Sequence, residues 1–446
     1  MTRRIIEPVT IWDGETRVYE NGAILIEDDR VGGVFSEQER GGLDRTAYDE
    51  RIDGEGRLAI PGLINSHTHL YSSLARGMAI PDYSPKTFTQ ILEGLWWRLD
   101  KGLDRASVRA SALVGAIEAA RCGITTMIDH HASPNAIEGS LEIVKECVSD
   151  SVGLRGAFCY EVSDRDGMDK ARAGIDENLR FLSSATGDPA STSLFGLHAS
   201  FTLSDETLER VASLIPEGAG IHIHVAEGPE DEIECERKYG MRIIERLDRF
   251  GLLRKNSILA HCLHLDEGEK DLLAERGSIV VHNPRSNMNN AVGTFDLPGY
   301  SRRNVLTGLG TDGLGANMLA ELFTAAILQK HATGDPLAAP FPVLFDLLFS
   351  NNRKIVNRVF GIDVGLLAPG YPADIALIDY LPPTPLDPDN LLGHLLFGLA
   401  VHSLRVTDLF VAGQPIIRGG RFVEIDEEAE YALAREEAKR LWERIV

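Results

Sequence analysis

The sequence is poor in cysteine, in basic residues and in long apolar runs. It has five cysteines among 446 residues, at irregular spacings and with no Cys-x-x-Cys pair. A disulfide framework and a zinc site made of thiolates are therefore both disfavoured. No run reaches the roughly 18 apolar residues that a membrane-spanning helix requires. Residues 1–7 also lack the apolar core of a signal peptide, so we expect a cytoplasmic location and no contact with a membrane.

The shortage of basic residues leaves the chain strongly negative. Forty-five lysines and arginines stand against 67 aspartates and glutamates, which gives a formal charge of −22 at pH 7. Such a surface repels the phosphates of nucleic acids and of anionic lipids. We therefore expect a small molecule as the partner and no nucleic acid. We also expect a homo-oligomer, the common state of enzymes of this kind.

Strand and helix signals alternate through the middle of the chain. Helical patterns at 105–121 and 204–214 are examples, and the second opens with Ser204 as an N-cap. Apolar segments that are typical of strands occur at 58–66, 124–130, 153–160, 194–199, 220–226, 257–261, 278–282 and 305–310. Eight strands with helical crossovers in about 250 residues predict an α/β fold, a (β/α)8 TIM barrel. A doubly wound sheet is the competing architecture, but it usually has a glycine-rich turn after its first strand.

Both ends of the chain carry short strand signals separated by turn residues. They include 9–12, 23–27 and 31–35 near the start, and 373–378, 406–411 and 415–417 near the end. We predict a small β-sandwich domain built from residues 1–60 and 366–425. The catalytic barrel then spans 61–365, and a C-terminal helix spans 426–446.

The most informative segment is Pro61–His69, an apolar strand that ends in His67-Thr68-His69. Residues two apart in a strand point to the same face, so both imidazoles could bind one metal ion. Taken alone, the pair fits a solvated or core-satisfied pair of histidines equally well. Catalytic residues of such barrels lie at the carboxyl ends of the strands. The metal hypothesis therefore predicts further metal-binding residues at other strand ends.

The later strands meet this expectation. The fifth strand runs into His224-Val225-Ala226-Glu227, the sixth ends in His261, and the eighth leads to Asp312. The proposed metal ligands are His67, His69, His224 and Asp312. Three imidazoles and a carboxylate suit Zn²⁺ best, with Fe²⁺ or Mn²⁺ as alternatives. His222 points to the same face as His224, but His224 lies nearer the end of the strand.

Glu227 is the expected proton carrier. A carboxylate beside a metal-bound water can take its proton and pass it to a leaving nitrogen. The alternative is an ordinary surface glutamate in an acidic loop. Asp312 is a second candidate base, and His261 is expected to contact the hydroxide or to polarise the substrate.

Four further residues are expected to contact the substrate. His198 closes the fourth strand, and Arg285 and Asn287 lie in a segment rich in hydrogen-bond donors after the seventh. Trp97 follows a proline-containing segment and could serve in a lid or simply pack. The histidines whose roles stay open are His130, His131 and His222.

In these motifs the chain resembles the amidohydrolase superfamily, in the branch of cytosine deaminase, guanine deaminase and the chlorohydrolases. The matching pieces are Pro61–His69, His224–Glu227, His261-Cys262, Gly310–Gly313 and the turn Gly370–Asp374. Segments 95–100, 129–134 and 285–290 are similar to the aminohydrolase group called SsnA. The resemblance implies one metal ion per chain on the four ligands above, proton transfer by Glu227, and contact of His261 with hydroxide or substrate. No lysine suitable for carboxylation stands near His198, which favours a mononuclear site.

These observations predict metal-dependent hydrolysis of a C–N bond other than a peptide bond. Deamination of a small nitrogen heterocycle is the preferred reaction, with a purine, pyrimidine, pterin or triazine as the substrate. Opening of a cyclic amide, or removal of an N-acyl or formimino group, would use the same site. A metal with a purely structural role is a third possibility, and the placement of Glu227 argues against it.

Overall fold

Strands and helices alternate through the middle of the computed structural model, which describes residues 2–185, 187–402 and 404–445. The strands are β1 (Arg3–Trp12), β2 (Val18–Glu27), β3 (Arg30–Phe35), β4 (Glu50–Ile52), β5 (Arg57–Pro61), β6 (Leu63–Thr68), β7 (Ile124–His131), β8 (Arg155–Tyr160), β9 (Ser191–Ser193), β10 (Phe195–Ala199), β11 (Ile221–Val225), β12 (Ile258–His261), β13 (Ile279–His282), β14 (Thr307–Leu309), β15 (Ile375–Asp379), β16 (Val406–Val411), β17 (Gln414–Arg418) and β18 (Arg421–Phe422).

The helices are α1 (Glu37–Gly41), α2 (Phe88–Ile91), α3 (Trp97–Gly102), α4 (Arg105–Arg121), α5 (Ser140–Lys145), α6 (Met168–Ser184), α7 (Asp205–Leu214), α8 (Pro229–Tyr239), α9 (Ile243–Arg249), α10 (Glu267–Arg276), α11 (Pro284–Asn289), α12 (Leu297–Arg302), α13 (Met318–Thr333), α14 (Phe341–Phe345), α15 (Asn351–Phe360), α16 (Leu391–Gly393) and α17 (Glu427–Ile445). Short 3-10 turns lie at Arg45–Ala47, Leu70–Ala75 and Ser200–Thr202. π-helical turns lie at Leu92–Trp96, Glu146–Val152, Asp346–Ser350 and His394–Ala400.

Parallel strands β6 to β14 form the predicted barrel. They pair in two runs, β6-β7-β8-β9 and β10-β11-β12-β13-β14. Two parallel bridges join the runs, one between Thr68 and Asp312 and the other between Val162 and Leu197. The carboxyl ends of the strands therefore meet around one mouth, as the barrel hypothesis requires.

Two buried asparagines reinforce the seams between these runs. Asn178 in α6 accepts from the backbone N–H of Tyr160 (2.9 Å) and of Gly196 (3.1 Å), and donates to the Tyr160 carbonyl (2.7 Å). Asn352 in α15 joins β6 to β14 in the same way. Its amide donates to the carbonyls of Ile64 (2.8 Å) and Leu309 (3.0 Å) and accepts from the N–H of Leu309 (2.9 Å). Side chains thus replace ladder hydrogen bonds where the strand pairing is short.

The first predicted barrel strand, 58–66, is divided in two by Gly62. Residues before this glycine form β5, which pairs with β1 and β15 outside the barrel. Residues after it form β6, the first barrel strand. A Cβ at Gly62 would overlap the side chain of Thr125, so only glycine permits this close passage. Apolar content alone does not reveal the break, because both halves are buried.

Strands from both ends of the chain form one further sheet. Among the described residues it is nine-stranded, in the order β18-β17-β16-β15-β5-β1-β2-β3, with β4 pairing with β1. Its separate apolar core includes Ile6, Ile24, Ile375 and Phe410. The predicted boundaries of this domain, of the barrel and of the terminal helix stay predictions, and Met1 and Val446 lie outside the described residues.

The two helices predicted from local sequence patterns, at 105–121 and 204–214, are confirmed. Helix α4 has the predicted bounds, and α7 begins after Ser204, whose hydroxyl accepts the N–H of Thr207 at 3.2 Å. All five cysteines are unpaired thiols. In the part of the chain that the structure describes, no helix combines the length and the apolar character needed to cross a bilayer.

Candidate active site

The four predicted metal ligands meet at the mouth of the barrel. Nε2 of His69 lies 3.0 Å from Nε2 of His224 and 3.2 Å from Oδ1 of Asp312. Nε2 of His67 lies 4.0 Å from the same carboxylate oxygen. His67 is fully buried near the end of β6, His224 is the last residue but one of β11, and Asp312 follows β14. Residues up to 245 positions apart thus present their donor atoms to one small volume.

Hydrogen bonds behind the imidazoles set which nitrogen of each ring faces this volume. Nδ1 of His69 donates to the carbonyl of His130 (2.6 Å), and Nδ1 of His224 donates to the carbonyl of His198 (2.9 Å). Because a carbonyl only accepts, Nδ1 carries a proton in both rings, and Nε2 has the lone pair whenever the ring is neutral. Nδ1 of His67 is 2.8 Å from Nε2 of His222. His222 therefore lies behind His67, deeper in the barrel, and His224 lies at the centre.

This arrangement fits a divalent metal ion. Ligands held about 2.1 Å from one tetrahedral zinc ion lie roughly 3.4 Å apart, close to the separations seen here. Among the described residues, buried Nε2 of His67 has no hydrogen-bond partner. Although burial opposes it, hydrogen bonding to Asp312 raises the pKa of His69 to about 9. The cluster therefore favours a positive charge at this point, and its N3O donor set suits zinc.

A second, overlapping group of donors includes His130 and Glu161 together with His69 and His224. It is the poorer candidate, because Oε1 of Glu161 already accepts from Nη1 of Arg165 at 2.9 Å. A cation bound there would lie close to the guanidinium charge. Nδ1 of His130 lies 3.4 Å from Oε2 of Glu161, while its Nε2 lies 3.1 Å from two backbone carbonyls.

The chain leaves three of these strands through left-handed backbone. Ala226 after β11, His261 at the end of β12 and Asp312 after β14 have φ values of 45°, 75° and 53°. For residues with a Cβ this conformation costs about 1–2 kcal/mol each. Such strain is typical of functional sites, where it aims a side chain at a fixed point.

Glu227 and His261 border the ligand cluster. Oε2 of Glu227 lies 3.4 Å from Nε2 of His261, which is 3.6 Å from Oδ2 of Asp312. Asn290 donates to Oε1 of Glu227 at 3.0 Å and so fixes its orientation. Burial and the negative charge of Asp312 raise the pKa of Glu227 to about 8. Burial lowers the pKa of His261 to about 4, so this ring is neutral at pH 7.

A cavity of about 760 Å³, including its open mouth, leads to these groups. Phe88, Leu92, Trp96 and Leu314 provide apolar walls. The floor carries His69, His224, Glu227 and Asp312. A flat ring that enters between apolar walls would therefore reach the proposed metal ligands and Glu227.

Two of the four predicted substrate contacts line this cavity, and two do not. Trp97 and His198 are in the wall, with ring centroids 6.1 Å apart. Asn287 is buried behind His261, and its amide contacts Nδ1 of that ring. The Arg285 side chain is 39% exposed and lies 3.6 Å from Glu321, away from the cavity. Helix α11 explains the difference, because it turns these side chains away from the mouth of the barrel.

Histidines 130 and 131 have supporting roles. Nε2 of His130 lies 3.1 Å from the carbonyls of Leu197 and His222, and its own carbonyl holds His69. Nε2 of His131 contacts the hydroxyl of Ser133 at 2.9 Å. Both rings are buried. Neither lines the cavity described above.

The sequence reasoning missed three charged residues of the cavity wall, which are Asp100, Glu161 and Arg165. Glu161 directly follows β8, so the strand-end criterion applied to the other sites would have found it. Arg165 lies five residues after β8, and Asp100 belongs to α3. No local pattern marks either of these as part of the site.

Comparisons with known proteins agree with this geometry. A profile described as the amidohydrolase family matches residues 58–416. A 5'-deoxyadenosine deaminase of Methanothermobacter thermautotrophicus is 33% identical and is aligned over 94% of this chain and 95% of its own. A 5-methylthioadenosine/S-adenosylhomocysteine deaminase of Pelotomaculum thermopropionicum is also 33% identical, over 99% of each chain. The narrower resemblance to the SsnA group stays a prediction.

Solved structures share the whole fold. An adenosine deaminase from Xanthomonas campestris with bound zinc aligns with a TM-score of 0.84 at 25% identity, over 99% of this chain and 98% of the other. The atrazine chlorohydrolase TrzN from Arthrobacter aurescens, also with zinc, aligns with a TM-score of 0.81 at 23% identity, over 98% and 100%. From its profile match, its relatives and its fold, this chain belongs to the amidohydrolase family.

Proposed function

We propose that this chain is a metal-dependent aminohydrolase that replaces the amino group of a small nitrogen heterocycle by an oxo group. The observation that carries the proposal is the meeting of four metal-capable donor atoms with Glu227 on the floor of one cavity. The deaminase relatives favour purines and their nucleosides as the first compounds to test.

The ligands would be His67, His69, His224 and Asp312, with one ion per chain and zinc as the preferred metal. When bound, such an ion lowers the pKa of water from 15.7 to about 7 and so supplies a nucleophile near neutral pH. The imidazoles are already held for this task, because backbone carbonyls fix the protons of His69 and His224 on Nδ1. We also propose a cytoplasmic location and a homo-oligomeric state.

Glu227 supplies the proton transfer. Its raised pKa lets it hold a proton near neutral pH, and Asn290 keeps one of its oxygens in place. The other oxygen can give a proton to a ring nitrogen while water adds to the neighbouring ring carbon. When the exocyclic C–N bond breaks, the amino group leaves as ammonia with the proton that Asp312 took from the water. The added hydroxyl returns its proton to Glu227 and becomes the oxo group, so the overall reaction consumes one water.

His261 and Asp312 are the other two residues that act in the proposed reaction. Nε2 of His261 can donate to the oxygen on which negative charge develops, since it faces the cavity floor. Asp312 stays ionised: although burial opposes this, the hydrogen bond and charge of His69 hold its pKa well below the usual range. Its carboxylate can accept a proton from the attacking water.

The test is release of ammonia by zinc-loaded protein from a panel of purines, nucleosides, pyrimidines, pterins and triazines. Glu227→Gln serves as the matched variant, because it keeps the shape of the side chain and removes its acid chemistry. We expect ammonia from one compound class, and a loss of at least about 100-fold in the variant with metal still bound. If no compound of the panel releases ammonia although the metal is bound, the result would favour cyclic-amide ring opening. Turnover that survives in the variant would refute the role of Glu227.

A further inference from the structure

A buried aspartate at the edge of the cavity connects the chain segments that follow two neighbouring barrel strands. Asp231 lies in the first turn of α8, lines the cavity and is 3% exposed. Its Oδ1 accepts the backbone N–H of Phe201 at 3.0 Å, and its Oδ2 accepts that of Ala226 at 2.9 Å. Phe201 belongs to the turn after β10, and Ala226 directly follows β11. One carboxylate therefore sets the spacing between these two segments.

Ala226 also binds the segment that follows the next strand, β12. Its carbonyl accepts the backbone N–H groups of Leu263 at 3.1 Å and of His264 at 3.3 Å. The contacts of Asp231 thus extend, through Ala226, to the backbone just beyond His261. Three segments at the mouth of the barrel are joined in this way by hydrogen bonds.

The backbone of Ala226 needs this support. Its φ of 45° is left-handed, a conformation that residues with a Cβ rarely adopt. It turns the chain so that the next side chain, Glu227, reaches the cavity floor, where its Oε2 lies 3.4 Å from Nε2 of His261. If Ala226 relaxed to ordinary backbone, the Glu227 side chain would leave the chain in a different direction. Hydrogen bonds to the N–H and to the carbonyl of Ala226 oppose this relaxation.

The proposed metal ligand His224 is held without help from Asp231. Strand β11 pairs with β10 on one side and with β12 on the other, and Nδ1 of His224 donates to the carbonyl of His198 at 2.9 Å. Loss of the Asp231 contacts should therefore displace Glu227 while the imidazole of His224 stays in place. This difference separates a positioning role from general support of the fold.

We infer that Asp231 is a positioning residue that directs the carboxyl of Glu227 at the reacting atoms, through the left-handed backbone of Ala226. Both oxygens of Asp231 are needed, because each faces a backbone N–H that can only donate. The inference rests on the proposed function in one respect, namely that Glu227 transfers the proton.

Asp231→Asn tests this role, because the amide keeps the shape of the side chain but has a single acceptor oxygen. Its NH₂ group would face one of the two backbone N–H groups, and that contact would be lost. With the substrate found in the ammonia screen, we expect kcat to fall about 10- to 100-fold, since a misplacement of about 1 Å can cost as much. KM and the bound zinc should stay within about twofold of the wild type, because neither depends on the direction of Glu227.

A crystal structure of the zinc-loaded variant gives a readout that needs no substrate. We expect the Glu227 carboxyl to move away from Nδ2 of Asn290, which lies 3.0 Å from it in the wild type. Asp169→Asn is the matched control, because this aspartate also lies in the first turn of a helix, α6, but is exposed and pairs with Arg172 at the surface.

Ala226→Val provides a second test if Asp231→Asn folds poorly. A β-branched residue strongly avoids left-handed backbone, so this variant should misdirect Glu227 although Asp231 is intact. We expect the same loss of kcat with zinc retained.

A folded Asp231→Asn protein with the kcat of the wild type, or with Glu227 still bound to Asn290 in the crystal, would overturn the inference. Loss of zinc in parallel with kcat would also overturn it, because Asp231 would then support the metal site as a whole. The proposed function fails by a different result, which is the absence of ammonia release from every heterocycle by the wild-type protein. The crystal structure still decides in that case whether Asp231 positions Glu227.

Discussion

The side-chain amide of Asn287 donates a hydrogen bond to Nδ1 of His261 across 2.7 Å. The direction of this bond follows from the other side of the ring. There Nε2 of His261 faces carboxylate oxygens of Glu227 and Asp312 at 3.4 and 3.6 Å. A lone pair on Nε2 would face the negative carboxylate of Asp312, so the proton of the neutral ring is on Nε2 and Nδ1 accepts. Asn287 is therefore a positioning residue that keeps the Nε2–H of His261 directed at the reacting atoms.

Replacement of Asn287 should impair the chemical step more than substrate binding. We expect Asn287→Ala to lower kcat by about 10- to 100-fold with little change in KM, as is typical when a partner behind a site residue is lost. The ¹⁵N spectrum of the His261 ring should also move away from the Nε2–H form. Met288→Ala, at a neighbouring exposed position of α11, is the control. An unchanged imidazole spectrum would contradict the assigned role.

Two variants distinguish between the two overlapping sets of possible metal ligands, one with Asp312 and one with Glu161. Asp312→Asn should lower bound zinc from about one ion per chain to a small fraction, because the anionic ligand is lost. Glu161→Gln should retain the ion, since its carboxylate already pairs with Arg165. Elemental analysis after gel filtration measures both. The reverse pattern would place the ion between His130 and Glu161 instead.

The stability of the protein should fall between pH 4.5 and pH 9 in part because of Glu232. Burial first, and then the neighbouring Glu269, raise the pKa of this carboxyl from 4.5 to about 9 in the folded chain. In that range the folded state keeps a proton that the unfolded state has released, so a rise in pH favours unfolding. We expect Glu232→Gln to flatten the decline of Tm with pH, by at least about 2 °C at pH 9.

Thermal unfolding of wild type and variant at fixed zinc concentration measures this difference. Glu234→Gln in the same helix is the control, because its carboxylate pairs with Arg237 and Lys238 at the surface. Parallel curves for wild type and Glu232→Gln would show that Glu232 does not carry the proton.

Loss of Asn178 should open one seam of the barrel. Its amide satisfies the backbone N–H groups of Tyr160 and Gly196 and the Tyr160 carbonyl, and all of these groups are buried. We expect Asn178→Ala to cost about 2–5 kcal/mol of unfolding free energy, because each unsatisfied buried group costs 1–3 kcal/mol. Denaturant titration measures the change, with exposed Asn135→Ala as the control. A cost under 1 kcal/mol would mean that water replaces the amide.

Much of the site could be predicted from one rule, that the catalytic residues of such barrels lie at the carboxyl ends of the strands. His67, His69, His224, His261 and Asp312 each end or follow an apolar segment, and parallel strands bring their carboxyl ends together. The same rule marks Glu161, which follows β8 directly. Arg285 and Asn287 lie outside the cavity lining, and their contact with substrate stays a prediction. Composition says which donors a segment offers, whereas the helix that holds them sets their direction.

The sequence by itself determined the barrel, the metal-capable residues and the two-ended sheet, because periodicity and strand ends are local properties. The tertiary structure alone decided three things. It divided one predicted strand at Gly62, because only packing against Thr125 shows how closely two strands pass. It set the position of the ring proton of His261, because its partner Asn287 comes into place only when the chain folds. It also brought Asp100 against Arg165, since a charge pair between residues 65 positions apart leaves no periodic trace in the sequence.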